Sequence, residues 1–190
     1  HVLVEIETDE GITGFGEAPS RPFFYGESQR SMVAAIEEWF APALLGTDPF
    51  ATGNLWPMFD KTEHNNTAKG AIDIALHDII GKALGVSCAR LMGAAAESVR
   101  VTYVCGYSSP AEMAEEAVAV KEKHGIDSFK IKVGVAHDRD AETLARLREA
   151  LPDALLYVDA NEGFDRHGAL RLLDLCATHG IAWAEEPCQR

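Results

Sequence analysis

The feature that most constrains this 190-residue chain is a repeat in its second half. Apolar, strand-like runs at 99–105, 129–133, 155–159 and 181–185 alternate with helical stretches, the signature of successive βα units laid down as a parallel sheet. Cys105, Lys132, Asp159 and Glu185 lie 27, 27 and 26 residues apart and are therefore expected at equivalent places in successive units. In parallel βα architectures those places are the carboxyl ends of neighbouring strands, where barrels and open α/β sheets build their sites. Side chains alternate along a strand, so Lys130 and Lys132 share one face and Phe129, Ile131 and Val133 the other. By the same rule Asp159 falls on the face of Leu155 and Tyr157, and Glu185 on that of Ile181 and Trp183. Charge thus collects at one end of a presumed interior, where burial without a purpose is costly.

The first half has a different rhythm. Residues 1–8 alternate as a strand, Asp9, Glu10 and Gly11 form a turn signal, and 12–17 can return as the hairpin partner. An aromatic loop around Arg21, Phe23, Phe24 and Tyr25 leads to an amphipathic helix predicted over 28–45 and stopped by Gly46. Ile72, Ala75, Leu76, Ile79, Ile80, Ala83 and Leu84 recur at helical spacing and predict a helix over 67–84 closed by Gly85. The expected organisation is an α+β unit over 1–95 followed by βα units over 96–190. Because His1 leads straight into a strand pattern and Arg190 follows directly on another, the chain is expected to be a fragment at both ends.

Charge narrows the partners. Seventeen basic against thirty acidic residues leave a net charge of −13, which opposes non-specific binding to nucleic acid or anionic membrane surfaces. The sequence holds no run of about eighteen apolar residues that would span a bilayer. Cys88, Cys105, Cys176 and Cys188 form no C-x-x-C pair and fit no zinc spacing, so reduced thiols and a cytoplasmic setting are expected.

Carboxylates from adjacent strands can hold a hard divalent cation, and Mg2+ suits sparse carboxylate ligation completed by water and substrate oxygens. A nearby lysine whose pKa is lowered by a like charge, a cation and partial burial can act as a base. Each motif also has a plainer reading. Alternating lysines often mark a solvated strand, Asp159-Ala160-Asn161 a turn, and Glu185-Glu186-Pro187 a strand exit ended by proline. The pleat favours Glu185 over Glu186 as the inward residue. Asn161 either supports a metal-bound water or makes a local turn bond. Asp73 and His77, one helical turn apart, could mimic a ligand pair but are read as an intrahelical contact or as packing against the barrel.

The segment from Ala68 through Asp73, His77 and Asp78 to Lys82, followed by Leu91-Met92-Gly93, resembles the signature helix of the mandelate racemase and muconate lactonizing enzyme family of the enolase superfamily. Phe129-Lys130-Ile131-Lys132-Val133-Gly134, Val158-Asp159-Ala160-Asn161 and Ala184-Glu185-Glu186-Pro187 resemble its lysine and metal-ligand motifs, in order and at its spacing. Cys88 stands where the family usually has an aliphatic residue. The resemblance implies a capping α+β domain followed by about half of a (β/α)8 TIM-type barrel. Lys132 would be one acid or base and Lys130 its modulator. Asp159 and Glu185 would be two ligands of Mg2+, with Mn2+ as an alternative, and Asn161 a supporting residue. It also implies a third ligand and a second acid or base beyond Arg190, so the chain alone is expected to be inactive. The implied reaction is removal of the proton alpha to the carboxylate of a small substrate, as in a cycloisomerase, racemase or epimerase, by a full-length protein expected to be a homo-oligomer. Two alternatives stand beside it: an acid-sugar dehydratase, and a non-catalytic metal-binding α/β module complete at this length.

Overall fold

A computed structural model describes residues 1–189, which divide into two compact units, His1–Glu97 and the chain from Ser98 onward. In the first unit β1 (Val2–Glu7) pairs antiparallel with β2 (Thr13–Ala18), Val2 opposite Ala18 and Glu7 opposite Thr13. A single helical turn, α1 (Pro22–Tyr25), carries the aromatic loop, with Phe23 97% and Phe24 73% exposed. The helix predicted over 28–45 is interrupted. Ser28 caps α2 (Gln29–Ala35), a π-helical turn covers Ile36–Phe40, and α3 (Ala41–Leu44) completes it. Pro42 lies just past the π turn and has no N–H to give to the helix, so the wider turn falls where the regular ladder loses a bond. Leu45 already leaves the helical region, and Gly46 turns the chain at φ 76°.

Beyond α4 (Leu55–Phe59), α5 (Asn66–Leu84) lies against the hairpin, and Gly85 at φ 66° closes it as expected. Its buried stripe includes Ala68, Ala71, Ile72, Ala75, Leu76 and Ile79. Gly14 and Gly16 make the approach tight. A Cβ on Gly16 would stand 1.9 Å from the Ala71 carbonyl oxygen, and one on Gly14 2.1 Å from that of Ala75. The first N–H groups of α5 receive no bond from the Asn65 side chain. Instead buried Glu27 accepts from the Thr67 amide at 3.0 Å, the Thr67 hydroxyl at 2.9 Å and the Ala68 amide at 3.4 Å. The anionic carboxylate suits the positive end of the helix. His77 Nδ1 meets the Asp73 carbonyl at 2.9 Å, the intrahelical contact expected. A short α6 (Cys88–Leu91) ends the described helices of this unit.

The second unit holds a parallel sheet in the order β3 (Tyr103–Cys105), β4 (Ser128–Lys132), β5 (Leu155–Asp159) and β6 (Ala184–Glu185). Helices α7 (Pro110–His124), α8 (His137–Ala150) and α9 (Arg166–Thr178) make the crossovers. This is half of a βα barrel in strand count and connection. Phe129, Ile131, Leu156 and Val158 are fully buried with Met113, Leu144, Leu147 and Leu172 from the helices. The strand expected over 99–105 is shorter. The register that sets Tyr103 opposite Phe129 would lay 99–101 against 125–127, the turn leaving α7 at Gly125.

One register expectation is corrected. Lys132 does pair with Asp159, and Asp159 with Glu185, but Cys105 pairs with Ile131 instead of Lys132. Cys105 therefore points to the helix side, fully buried beside Phe129 and Ile131. Equal spacing counted residues but not the face they occupy, and Gly106, with no side chain, is the residue level with Lys132. Ile181 likewise packs on the helix-side core, so the alternation traced back from Glu185 holds at Trp183 and fails at Ile181.

Candidate active site

Three adjacent strand ends bring the predicted residues together. Lys132 Nζ donates to Asp159 Oδ2 at 2.7 Å and to Asn161 Oδ1 at 2.6 Å. Lys130 Nζ, two residues earlier on the same face, lies 2.6 Å from Glu185 Oε2 and 2.9 Å from Asp159 Oδ2. Both ammoniums thus converge on one carboxylate oxygen, with the second carboxylate on the next strand.

Burial is graded across the cluster. The Asp159 side chain is 2% exposed, Lys130 18%, Lys132 23% and Glu185 51%. Burial alone pushes the Asp159 carboxyl up, but hydrogen bonds from Lys132, Lys130 and the Asn161 amide outweigh it and hold the group below the ordinary carboxylate range. The Lys130 ammonium is pushed well up, first by its bond to Glu185 and, against the cost of burial, by Asp159. Two cations and two anions within hydrogen-bonding distance offset much of the cost of removing each from water.

The loops leaving the strands are held in unusual conformations. Asn161, Glu162 and Glu186 have φ of 45°, 60° and 41°, a region costly for residues with a Cβ and often found at functional sites. Of the two readings for Asn161, the local turn bond is the one present. Its amide donates to Asp159 Oδ1 at 3.0 Å, a local turn bond, while its side chain meets Lys132. The Ala160 amide donates to the Glu185 carbonyl and the Glu162 amide to that of Glu186, fastening the exits of β5 and β6 together. Below the charged level, Tyr157 and Trp183 meet edge to face at 5.6 Å on the same side of the sheet. They help line an open cleft of about 520 Å³ that reaches Glu185.

The donors fit a hard divalent cation. Asp159 and Glu185 are register partners on adjacent strands and offer only oxygen, and Mg2+ is commonly held by one or two carboxylates with water and substrate oxygens completing its shell. Among the described residues no group of three or more His, Cys, Asp or Glu side chains is assembled for a metal, so two carboxylates are what these strands supply.

Two further residues brace the strand exits without belonging to the predicted set: Tyr107, whose hydroxyl donates to the Val133 carbonyl at 3.1 Å, and Asp140, fully buried at the start of α8, whose Oδ2 accepts from the Gly134 amide at 2.9 Å. A signal for Asp140 was present: with Thr143, Leu144 and Leu147 it completes the i, i+3, i+4, i+7 stripe that α8 buries.

A parallel βα sheet with lysines and carboxylates at its strand ends, accompanied by an α+β unit, defines the enolase-superfamily class of fold. Residues 1–93 match the family description Mandelate racemase / muconate lactonizing enzyme, N-terminal domain, and 112–190 match Enolase C-terminal domain-like. The chain belongs to the mandelate racemase / muconate lactonizing enzyme family. It is similar to the N-succinyl-L-Arg/Lys racemase of Bacillus cereus, 36% identical over 98% of this chain and 51% of that protein. Its structure resembles that of a muconate lactonizing enzyme from Mycobacterium smegmatis, with TM-score 0.94, 39% identity, and coverage of 98% of this chain and 53% of that one. It also resembles a dipeptide epimerase from Enterococcus faecalis, solved with Mg and the dipeptide L-Leu-L-Tyr, with TM-score 0.91, 33% identity, and coverage of 98% and 53%. The chain spans about half the length of the relatives it matches. Among the described residues no helix is long and apolar enough to cross a membrane.

Proposed function

We propose that this chain carries one half of a site that removes the proton alpha to a carboxylate, in a racemase, epimerase or cycloisomerase acting on a small carboxylate substrate. The observation that carries the reading is the meeting of Lys130 and Lys132 on Asp159 Oδ2, with Glu185 paired beside it. The racemase, epimerase and cycloisomerase names of the relatives support the same reaction type. In this proposal Lys132 Nζ, in its neutral form, takes the α-proton of the substrate and holds it as the ammonium. Lys130 stays charged beside it as its modulator, paired with Glu185 and Asp159. Asp159 and Glu185 hold Mg2+, with Mn2+ as an alternative, and Asn161 orients Lys132. A bound divalent cation supplies the positive charge that offsets the negative charge built up as the α-proton leaves.

Proton delivery to the opposite face of the substrate needs a group outside these residues, so the chain by itself is proposed to be inactive. The test is α-proton exchange in D2O, followed by NMR with dipeptides and N-acylated amino acids in the presence of Mg2+, for the chain joined to the other half of its barrel. Lys132→Ala is expected to lower the exchange rate about 10³-fold, within the range of general acid–base catalysis. Exchange that survives this substitution unchanged would remove Lys132 from the mechanism.

A further inference from the structure

Asp140 is a fully buried acidic side chain that the proposed reaction does not use. Burial pushes its carboxyl up against the opposing pull of the Gly134 amide, Arg139, His137 and the Val135 amide. A group kept there at such a cost is expected to hold something in place.

What it holds is the exit of β4. Gly134 stands two residues after Lys132 at φ 97°, and a Cβ there would lie 2.5 Å from the Ala160 carbonyl oxygen. Ala160 is the residue after Asp159. A Cβ on Gly163 would in turn meet the Gly134 carbonyl oxygen at 2.5 Å. The backbone leaving Lys132 is therefore pressed on the backbone leaving Asp159, and the Gly134 amide in that contact is tied to Asp140. Neighbouring bonds complete the frame. The Val133 amide donates to the Asp159 carbonyl at 3.1 Å, Tyr107 holds the Val133 carbonyl, and Arg139 Nη2 donates to the Ser108 carbonyl after β3.

We infer that Asp140 is a positioning residue for the Lys132–Asp159 pair, acting through the Gly134 amide and the Gly134–Ala160 contact. The inference rests on the proposed role of Lys132 and touches no reacting atom. Small displacements of a reacting group are costly to rate, which gives such a frame its value.

The test is NMR on the doubly labelled 190-residue chain, observing the through-hydrogen-bond correlation between Lys132 Nζ and Asp159 Cγ, with unfolding free energy measured in parallel. Asp140→Ala removes the acceptor and is expected to abolish the correlation while the sheet amides of 155–159 stay protected from exchange. Asp140→Asn keeps an acceptor oxygen for Gly134 and is expected to retain it. Gly134→Ala, which forces the exit off Ala160 while leaving Asp140 intact, is expected to abolish it as Asp140→Ala does. A correlation present in the wild type and unchanged in Asp140→Ala or in Gly134→Ala would overturn the inference and leave the proposed function standing. So would its loss in Asp140→Asn at unchanged stability. Its absence from the wild type would instead count against the site itself.

Discussion

In the first unit Glu27 is buried against backbone amides of α5, whereas in the parallel sheet Asp159 is buried against two lysine ammoniums. Both carboxylates are satisfied, yet by partners of different kinds. Amides at a helix end are fixed in direction and charge, so Glu27 is the cap that starts α5 where Asn65, at φ 65°, makes no side-chain cap. Ammoniums on flexible stems can shift, exchange protons and give way to another cation. Asp159, held by two ammoniums and the Asn161 amide, is therefore the carboxylate proposed for chemistry, while Glu27, held by two amides and the Thr67 hydroxyl, caps a helix.

The packing of the two units differs in the same way. The first unit brings α5 directly onto backbone at Gly14 and Gly16. The sheet unit keeps bulky side chains between strands and helices and leaves its other face to the charged cluster. Gly16→Ala should have the largest effect, since a Cβ 1.9 Å from the Ala71 carbonyl oxygen forces β2 away from α5. A loss of about 3 kcal/mol or more is expected. Hydrogen exchange would show it as faster exchange in 13–18 and 66–84, with protection at 128–132 and 155–159 retained. Equal loosening of both sets would break the distinction.

Glu27→Ala comes next. It strips the acceptor from the Thr67 and Ala68 amides and is expected to cost about 2 kcal/mol in a denaturant titration. Glu27→Gln, which keeps an acceptor oxygen, should cost less. If the two cost the same, the charge and not the hydrogen bond would be what matters at that helix end.

The smallest effect concerns Asp78, whose carboxyl is held below its ordinary value by the Lys82 ammonium and then by the Phe15 amide. A lowered folded pKa contributes stability above the unfolded value of about 3.9 and loses it as pH falls through the folded value. Wild type should therefore exceed Asp78→Asn in stability at neutral pH by less than about 1 kcal/mol, as expected for a partly exposed pair. The gap should close below about pH 4, and a gap that widened in acid would contradict the assignment.

Much of the site could be read from the chain. The register of Lys132, Asp159 and Glu185 follows from unit spacing and the pleat, because a strand leaves a side chain only two directions. Cys105 shows the limit of that reasoning: a repeat of 27 residues fits the count and still misses the face by one position, which only pairing and burial decide. Asp140 shows a different limit: its spacing to Thr143, Leu144 and Leu147 places it on the buried stripe of α8, but an acidic residue near a helix start also reads as a favourable charge at the dipole, and only the fold decides between the two. The π turn before Pro42 and the caging of Gly134 and Gly163 depend on contacts that no local pattern records.

The proposed chemistry turns on Asp159 and Glu185 jointly facing a cation at the strand ends, and paramagnetic relaxation by Mn2+ tests this most directly. In the labelled chain, sub-stoichiometric Mn2+ is expected to broaden the amides of 159–161 and 185–186 first. Asp159→Asn should abolish that preference. Broadening spread over the acidic surface of a chain of net charge −13, and unchanged by Asp159→Asn, would contradict it.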